Sequence, residues 1–372
     1  MAQTPRVLIA ADKFKGSLTA AEVAAHVAVG LRRARPGVTV EALPVADGGD
    51  GTVAAAVEAG FTLHEVEVTG PLGTPVTAGF AMRGTTAIVE MAEASGLRHL
   101  PPGVFAPLIA TTFGTGELLS AALDAGARTI VLGVGGSATT DGGAGMLVAL
   151  GAKLLDVDGD PLAYGGGPLR ELVSADLTGL DPRLKDTDII LASDVDNPLT
   201  GPQGAAAVYG PQKGADAQAV EALDAALGHF AEVLGRTDLA GAPGAGAAGG
   251  VGYGALLGLN AVFRPGIEVL LEVLGFAAAL ERATLVITGE GSLDEQTLRG
   301  KAPAGVAAAC RAAGRPVVAV CGRLAIDAAS LRAAGIERAY PLSALEPDPA
   351  TSMRNAGPLL ERAAEQLARD QL

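Results

Sequence analysis

Tryptophan is absent, aromatic residues make up only 3% of the 372-residue chain, and there are two cysteines and four histidines. Grooves for single-stranded nucleic acid or sugars rely on aromatic rings as stacking platforms, so this composition argues against them. Positive charge is scarce: 27 Lys and Arg stand against 41 Asp and Glu, giving a formal net charge of −14. A polyanionic partner such as DNA needs a basic face, which this balance does not supply. Cys310 and Cys321 lack the paired spacing of a zinc site and read as small buried apolar residues. His26, His64, His99 and His229 are scattered outside the glycine turns, which leaves a histidine triad or metal site without support. No uncharged stretch approaches the roughly 18 apolar residues of a membrane span. The opening run MAQTPRVLIAADKFKG is too short and too early interrupted by charge for a secretory signal. The expectation is a soluble cytoplasmic protein with no nucleic-acid or membrane partner.

What the chain has in quantity is glycine, 52 residues, within a composition that is 49% hydrophobic. Its length suits two domains, each with its own core. RVLIAAD, Arg6 to Asp12, reads as a buried strand ending in a charged turn and leading to a helix, with Ser17 or Thr19 as its cap. VTVEALPVAD, then GGDGT, then TVAAAVEAG repeats the unit, and two strand-turn-helix units in succession predict a parallel sheet. From Thr62 the residues alternate apolar and polar as antiparallel strands do, with a junction near Gly70 to Pro75. A helix is predicted from about Ala217 to Leu234, and the last quarter returns to strand, acidic turn and helix. The predicted fold is α/β: a discontinuous Rossmann-like parallel-sheet domain of residues 1–72 plus 265–372, and an inserted α/β domain with a mixed sheet at 73–264.

The centre of the chain is TIVLGVGGSATTDGGAGM, Thr129 to Met146: a β-branched run, a glycine- and hydroxyl-rich turn, then a helix-like run extending through GAKLL. Backbone N–H groups at such a turn favour an anion. Gly133, Gly135, Gly136, Gly142 and Gly143 permit close approach, and Ser137, Thr139 and Thr140 add hydroxyl donors. The low-complexity stretch LAGAPGAGAAGGVGYG is either a flexible linker or an ordered ligand loop. Several other strand ends carry Asp, Glu or Lys. Phosphoryl transfer uses those groups, with backbone N–H and lysine on phosphates, carboxylates on Mg²⁺ and one carboxylate taking the hydroxyl proton. A P-loop motif is missing. Dinucleotide binding is the rival reading, since GVGGSA matches G-x-G-x-x-A and Asp156 and Asp158 follow at a plausible distance; GAGAAG, Gly244 to Gly249, matches but follows no strand. A nicotinamide-dependent dehydrogenase would also need a hydride-transfer acid or base that is not obvious here. A non-catalytic small-anion-binding protein is the third reading.

Taken together, ADKFKGSL, PVADGGDGT, VEMAEASGL, FGTGELL, GGSATTDGGAGM, ASDVDNPLTGPQGAAAVYGPQKGA, PGAGAAGGVGYG and ITGEGSLDEQTLRGKAPAGVA resemble, in order, the signatures of the bacterial glycerate kinases. The resemblance runs from about Arg6 to Cys321. It implies phosphorylation of D-glycerate with ATP and Mg²⁺, in most members at the 2-hydroxyl, and two α/β domains with the active site in the cleft between them. Two positions depart from the family pattern: Asp50 stands in place of glutamate and Thr140 in place of asparagine.

On that resemblance the roles distribute as follows. Asp194, at the end of a buried strand, is the first candidate for general base and Asp196 the second; either is also suited to capping the turn that follows. Glu290 and Asp294 are candidates for holding Mg²⁺, with helix capping the other reading of Asp294. Lys15, which also joins the catalytic set, Lys213 and Lys301 are candidates for holding nucleotide phosphates or the glycerate carboxylate. Asp47 and Asp50 are candidates for the glycerate hydroxyls or the metal, and Gly135, Gly136 and Ser137 for phosphate.

Overall fold

The computed structural model describes residues 5–46 and 48–372, the side chain of Arg299 excepted. Asp47, a candidate ligand, therefore lies outside the described residues. In chain order the strands are β1 Arg6–Ala11, β2 Thr39–Ala42, β3 Thr62–Thr69, β4 Pro75–Arg83, β5 Thr86–Glu90, β6 Thr129–Gly133, β7 Lys153–Leu155, β8 Ser174–Asp176, β9 Asp188–Ala192, β10 Val262–Arg264, β11 Leu285–Leu293, β12 Val317–Leu324 and β13 Ala339–Pro341. They belong to two compact units. The first consists of Met1–Asp47, Ala54–Gly60 and Ile267–Leu372, the second of Gly48–Val53 and Phe61–Gly266.

The first unit holds a five-stranded sheet in the order β13-β12-β11-β1-β2, parallel throughout. Continuous apolar runs in β1 and β11 are what a sheet covered on both faces requires. In β1, Val7 and Ile9 join one core with Val23, Val27 and Leu31 of the helix Ala20–Ala34 and with Leu360, Ala364 and Leu367 of the helix Ala356–Gln371. Leu8 and Ala10 point the other way, into a second core with Val306 and Cys310. Burying such a side chain is worth about 1.5–3 kcal/mol, so the alternation by itself fixes which face each helix covers. The helix Ala20–Ala34 opens on a capping box: Thr19 Oγ1 accepts from Glu22 N at 3.2 Å, and Thr19 N donates to the Glu22 carboxylate at 2.8 Å. Thr19 is the cap, not Ser17; the pair is worth about 1 kcal/mol. Both cysteines are buried and free, and burial pushes each thiol up to about 12, which keeps them unreactive.

The second unit holds a six-stranded sheet in the order β10-β9-β6-β5-β4-β3. β10, β9, β6 and β5 are parallel, whereas β4 runs antiparallel to both β5 and β3, giving the mixed sheet that the change of texture after Thr62 predicts. The helix-like run after Met146 is interrupted. The helix covers Ala144–Ala149 only, Gly151 turns the chain at φ +108°, and Lys153–Leu155 is strand β7, paired with β8. Periodicity failed there because three apolar residues of a short ribbon look like one further helical turn. The helix Ala217–Val233 caps on Asp216, whose carboxylate accepts from Ala219 N at 2.8 Å. Among the described residues no helix is long and apolar enough to cross a membrane.

Candidate active site

Parallel α/β sheets place ligand loops at the carboxyl ends of their strands. In the second unit those ends belong to Glu90 on β5, Gly133 on β6 and Ala192 on β9, which pair side by side. The segment Gly48–Val53 crosses all three. The Gly48 backbone meets Ala192, so that a Cβ on Gly48 would lie 2.8 Å from the Ala192 carbonyl oxygen. Gly48 O accepts from Gly135 N at 3.3 Å. Gly51 N and Val53 N donate to Glu90 Oε2 at 3.1 and 3.2 Å. Asp50 is thereby laid against Gly136, where a Cβ would sit 2.2 Å from Asp50 Oδ1. Gly136 has φ +73°, so both its backbone and its lack of a side chain are required.

The loop beyond Gly136 turns inward. Ser137, Thr139 and Thr140 are buried, and the hydroxyls of Thr139 and Thr140 have no hydrogen-bond partner among the described residues. Asp141, fully buried, ties the loop to the helix Phe113–Asp124: its Oδ2 accepts from Thr112 N and Thr112 Oγ1, each at 2.8 Å, and from Gly145 N at 3.3 Å, while Oδ1 accepts from Gly143 N at 3.2 Å. Burial pushes its pKa up, and these donors pull against that shift. Behind the loop Lys213 is almost wholly buried, with Nζ 2.5 Å from the Thr139 carbonyl oxygen. Desolvation lowers its pKa from 10.5 to about 7 against the attraction of Asp141.

The low-complexity stretch is ordered and belongs to the same cluster. Ala248, Gly249 and Gly250 take left-handed φ of 53°, 74° and 91° inside the helix Ala247–Gly258. Gly249 O accepts from Gly142 N at 3.0 Å, and a Cβ on Gly249 would stand 2.0 Å from Thr139 O and 2.9 Å from Lys213 Nζ. Asp194 follows β9 in the next loop, half-buried, with Oδ1 accepting from Gly266 N at 2.9 Å. Asp196 is exposed. Its neighbour Asn197 is fixed instead, accepting from Tyr209 Oη at 2.6 Å and donating to Gln203 O at 2.8 Å. Asp156 closes its own turn on Asp158 N and Asp160 N, at 2.9 and 3.0 Å.

In the first unit the remaining candidates gather at the carboxyl ends of β1 and β11, adjacent parallel strands at which the strand order reverses. Asp12 N donates to Gly289 O at 2.8 Å, and Gly291 faces the Phe14 and Lys15 backbone. Lys15 itself is exposed. Glu290 is buried and accepts from the Thr297 hydroxyl. Asp294 Oδ1 accepts from Gln296 N and Thr297 N at 2.9 and 3.3 Å, closing the turn as a capping residue does. Lys301 is the residue before the helix Ala302–Ala312. Among the described residues no three His, Cys, Asp or Glu side chains come together as a metal cluster.

Sequence reasoning missed Glu90 and gave Asp141 no role. For Glu90 a signal existed: a carboxylate completing the apolar strand TAIVE must be buried, and a buried carboxylate needs donors.

Comparison with known proteins places these loops in a family. The model of the glycerate kinase family matches residues 7–371. The chain is 46% identical over 371 residues to a glycerate kinase of Bacillus subtilis (strain 168), covering 98% of this chain and 97% of that one. It is 45% identical to the glycerate 2-kinase of Escherichia coli (strain K12), covering 90% of each chain. Among solved structures, a crystal structure described as a glycerate kinase 2 from Salmonella typhimurium LT2 superposes with a TM-score of 0.84 at 44% identity, covering 100% of both chains.

Proposed function

The chain belongs to the glycerate kinase family of phosphotransferases, and from that premise we propose that it carries the γ-phosphoryl group of ATP to the 2-hydroxyl of D-glycerate, giving 2-phosphoglycerate and ADP. The observation that carries this reading is the ring of polar groups at the carboxyl ends of β5, β6 and β9, with a half-buried carboxylate, Asp194, at its edge. In the proposed step the 2-hydroxyl oxygen attacks the γ-phosphorus in line. The new O–P bond forms as the bond to the bridging β–γ oxygen breaks, the electron pair leaves with ADP, and the hydroxyl proton passes to Asp194. Asp196 is the second choice, because its side chain is exposed where that of Asp194 is half-buried.

The Gly136 and Ser137 amides of the turn are assigned to an anion, the Gly135 amide being given to Gly48 O, and the buried Thr139 and Thr140 hydroxyls stand within the same loop. Asp50, held on Gly136, is assigned to a glycerate hydroxyl. Lys213 is assigned to the loop itself, since its ammonium is engaged with Thr139 O. Lys15 and Lys301 are assigned to the nucleotide phosphates, Lys15 because it is exposed and Lys301 because it adjoins the first turn of an 11-residue helix. Glu290 and Asp294 offer carboxylate oxygens, the hard donors that suit Mg²⁺, and one or two suffice when phosphate and water complete the shell. Bound there, Mg²⁺ would neutralise charge on the phosphate oxygens.

A coupled assay for ADP with the purified protein, Mg·ATP and D-glycerate tests the activity. Release of ADP only when glycerate is present is the expected result, and its absence rejects the proposal.

A further inference from the structure

The segment Gly48–Val53, GGDGTV, has no apolar side chain before Val53 with which to anchor itself. Gly48 and Gly51 both sit at positive φ, +89° and +95°, so the backbone is of the most permissive kind. Its position is therefore set by hydrogen bonds. One, Gly135 N to Gly48 O at 3.3 Å, is long. A second, Thr52 Oγ1 to Gly49 O at 2.6 Å, is internal to the segment. Two further amides meet on one side chain: Gly51 N donates to Glu90 Oε1 and Oε2 at 3.2 and 3.1 Å, and Val53 N to Oε2 at 3.2 Å.

Glu90 is fully buried, and burial is the main reason its pKa is raised to about 7. Glu93 and Asp50 add repulsion, and Arg98, itself 2.5 Å from Glu93, offsets part of it. An apolar side chain at the end of β5 would avoid that cost and fill the same space. What it would lack is an acceptor for the two amides, Gly51 N and Val53 N, that follow Asp50 in the chain.

We propose that Glu90 is a positioning residue for the phosphoryl acceptor: its carboxylate clamps Gly48–Val53 across the strand ends and so holds Asp50 against the Gly135–Gly136 turn. This inference rests on the assignment of Asp50 to glycerate. It explains why a carboxylate that touches no reacting atom is buried among apolar residues. It also explains how a chain with Asp50, one methylene shorter than the glutamate of the family pattern, keeps that short side chain at a defined point.

The test compares Glu90→Ala, Glu90→Asp and Glu90→Gln with the wild type by steady-state kinetics and by hydrogen–deuterium exchange of the peptide spanning 48–53. Glutamine keeps one carbonyl oxygen for both amides, so its KM for D-glycerate stays within about threefold of wild type. Alanine raises that KM at least tenfold while the KM for ATP moves less than twofold, and exchange of the 48–53 amides accelerates at least tenfold. If the alanine protein does not fold, the aspartate protein carries the same test, its shorter reach giving the same direction of change. A purely structural role would shift both KM values alike or lower only kcat, and either result overturns the proposal, as does unchanged exchange. Should the wild type show no glycerate-dependent turnover while exchange responds as stated, the kinase reading fails and the clamp stands.

Discussion

Lys213→Met replaces a buried ammonium by a side chain of similar length and no charge, and the structure fixes what this does to stability at each pH. Lys213 titrates at about 7 in the folded protein and near 10.5 when unfolded. The gap of about 3.5 pH units, at about 1.4 kcal/mol each, is about 5 kcal/mol. The folded value is the lower one, so this stability is fully present above pH 10.5, is lost as pH falls to about 7, and changes no further below that. Methionine has no such dependence, but it leaves the Thr139 carbonyl without its donor, a loss of about 1–3 kcal/mol. The two stability curves must therefore cross. The variant is less stable than wild type by about 1–3 kcal/mol near pH 10.5 and more stable by about 2–4 kcal/mol at pH 7. Urea denaturation followed by circular dichroism at pH 7, 8, 9 and 10 measures this, and the difference between the proteins cancels the titration of groups that do not interact with Lys213. Parallel curves would mean that the Lys213 ammonium is solvated, and the account of the loop resting on a buried amine would be wrong.

Three further outcomes follow from the same geometry. Asp194→Asn should lower kcat by about 10²–10⁴-fold in the coupled ADP assay with an unchanged melting temperature, and turnover near wild type would move the base elsewhere. Gly136→Ala forces a methyl group into the space of Asp50 Oδ1 at a left-handed position; the KM for glycerate should rise at least tenfold, and an unchanged KM would detach Asp50 from the substrate. Glu90 has a raised folded pKa, so its contribution is fully present below about 4.5 and lost as pH rises to about 7. Wild type should therefore lose about 3 kcal/mol relative to Glu90→Gln over that window, and equal losses in chemical denaturation at pH 4.5 and 7.5 would refute it.

Much of the architecture was legible because burial writes itself into sequence. Val7 to Ala11 lie in a sheet covered on both faces, and the alternation after Thr62 marks strands with one wetter face. The ribbon at Lys153–Leu155 was not legible, since three apolar residues cannot distinguish a period of 2 from one of 3.6. At the site, the glycine turn was legible as a turn, and its hydroxyls at Ser137, Thr139 and Thr140 are buried in it. The contacts of Lys213 and Asp294 did not show, because a lysine in a glycine turn looks the same whether it faces solvent or the Thr139 carbonyl, and an aspartate looks the same whether or not it accepts from the backbone amides that follow it. Glu90 escaped notice because its partners, Gly51 and Val53, lie far from it in the chain and contribute only backbone amides.

The central claim, transfer of phosphate to the 2-hydroxyl of D-glycerate, is tested most directly by proton-coupled phosphorus NMR of the reaction product. A phosphate ester at carbon 2 has one vicinal proton and gives a doublet, which is the signal the account predicts. An ester at carbon 3 couples to two protons and splits further; that pattern, or no ester signal beside ATP, would contradict it.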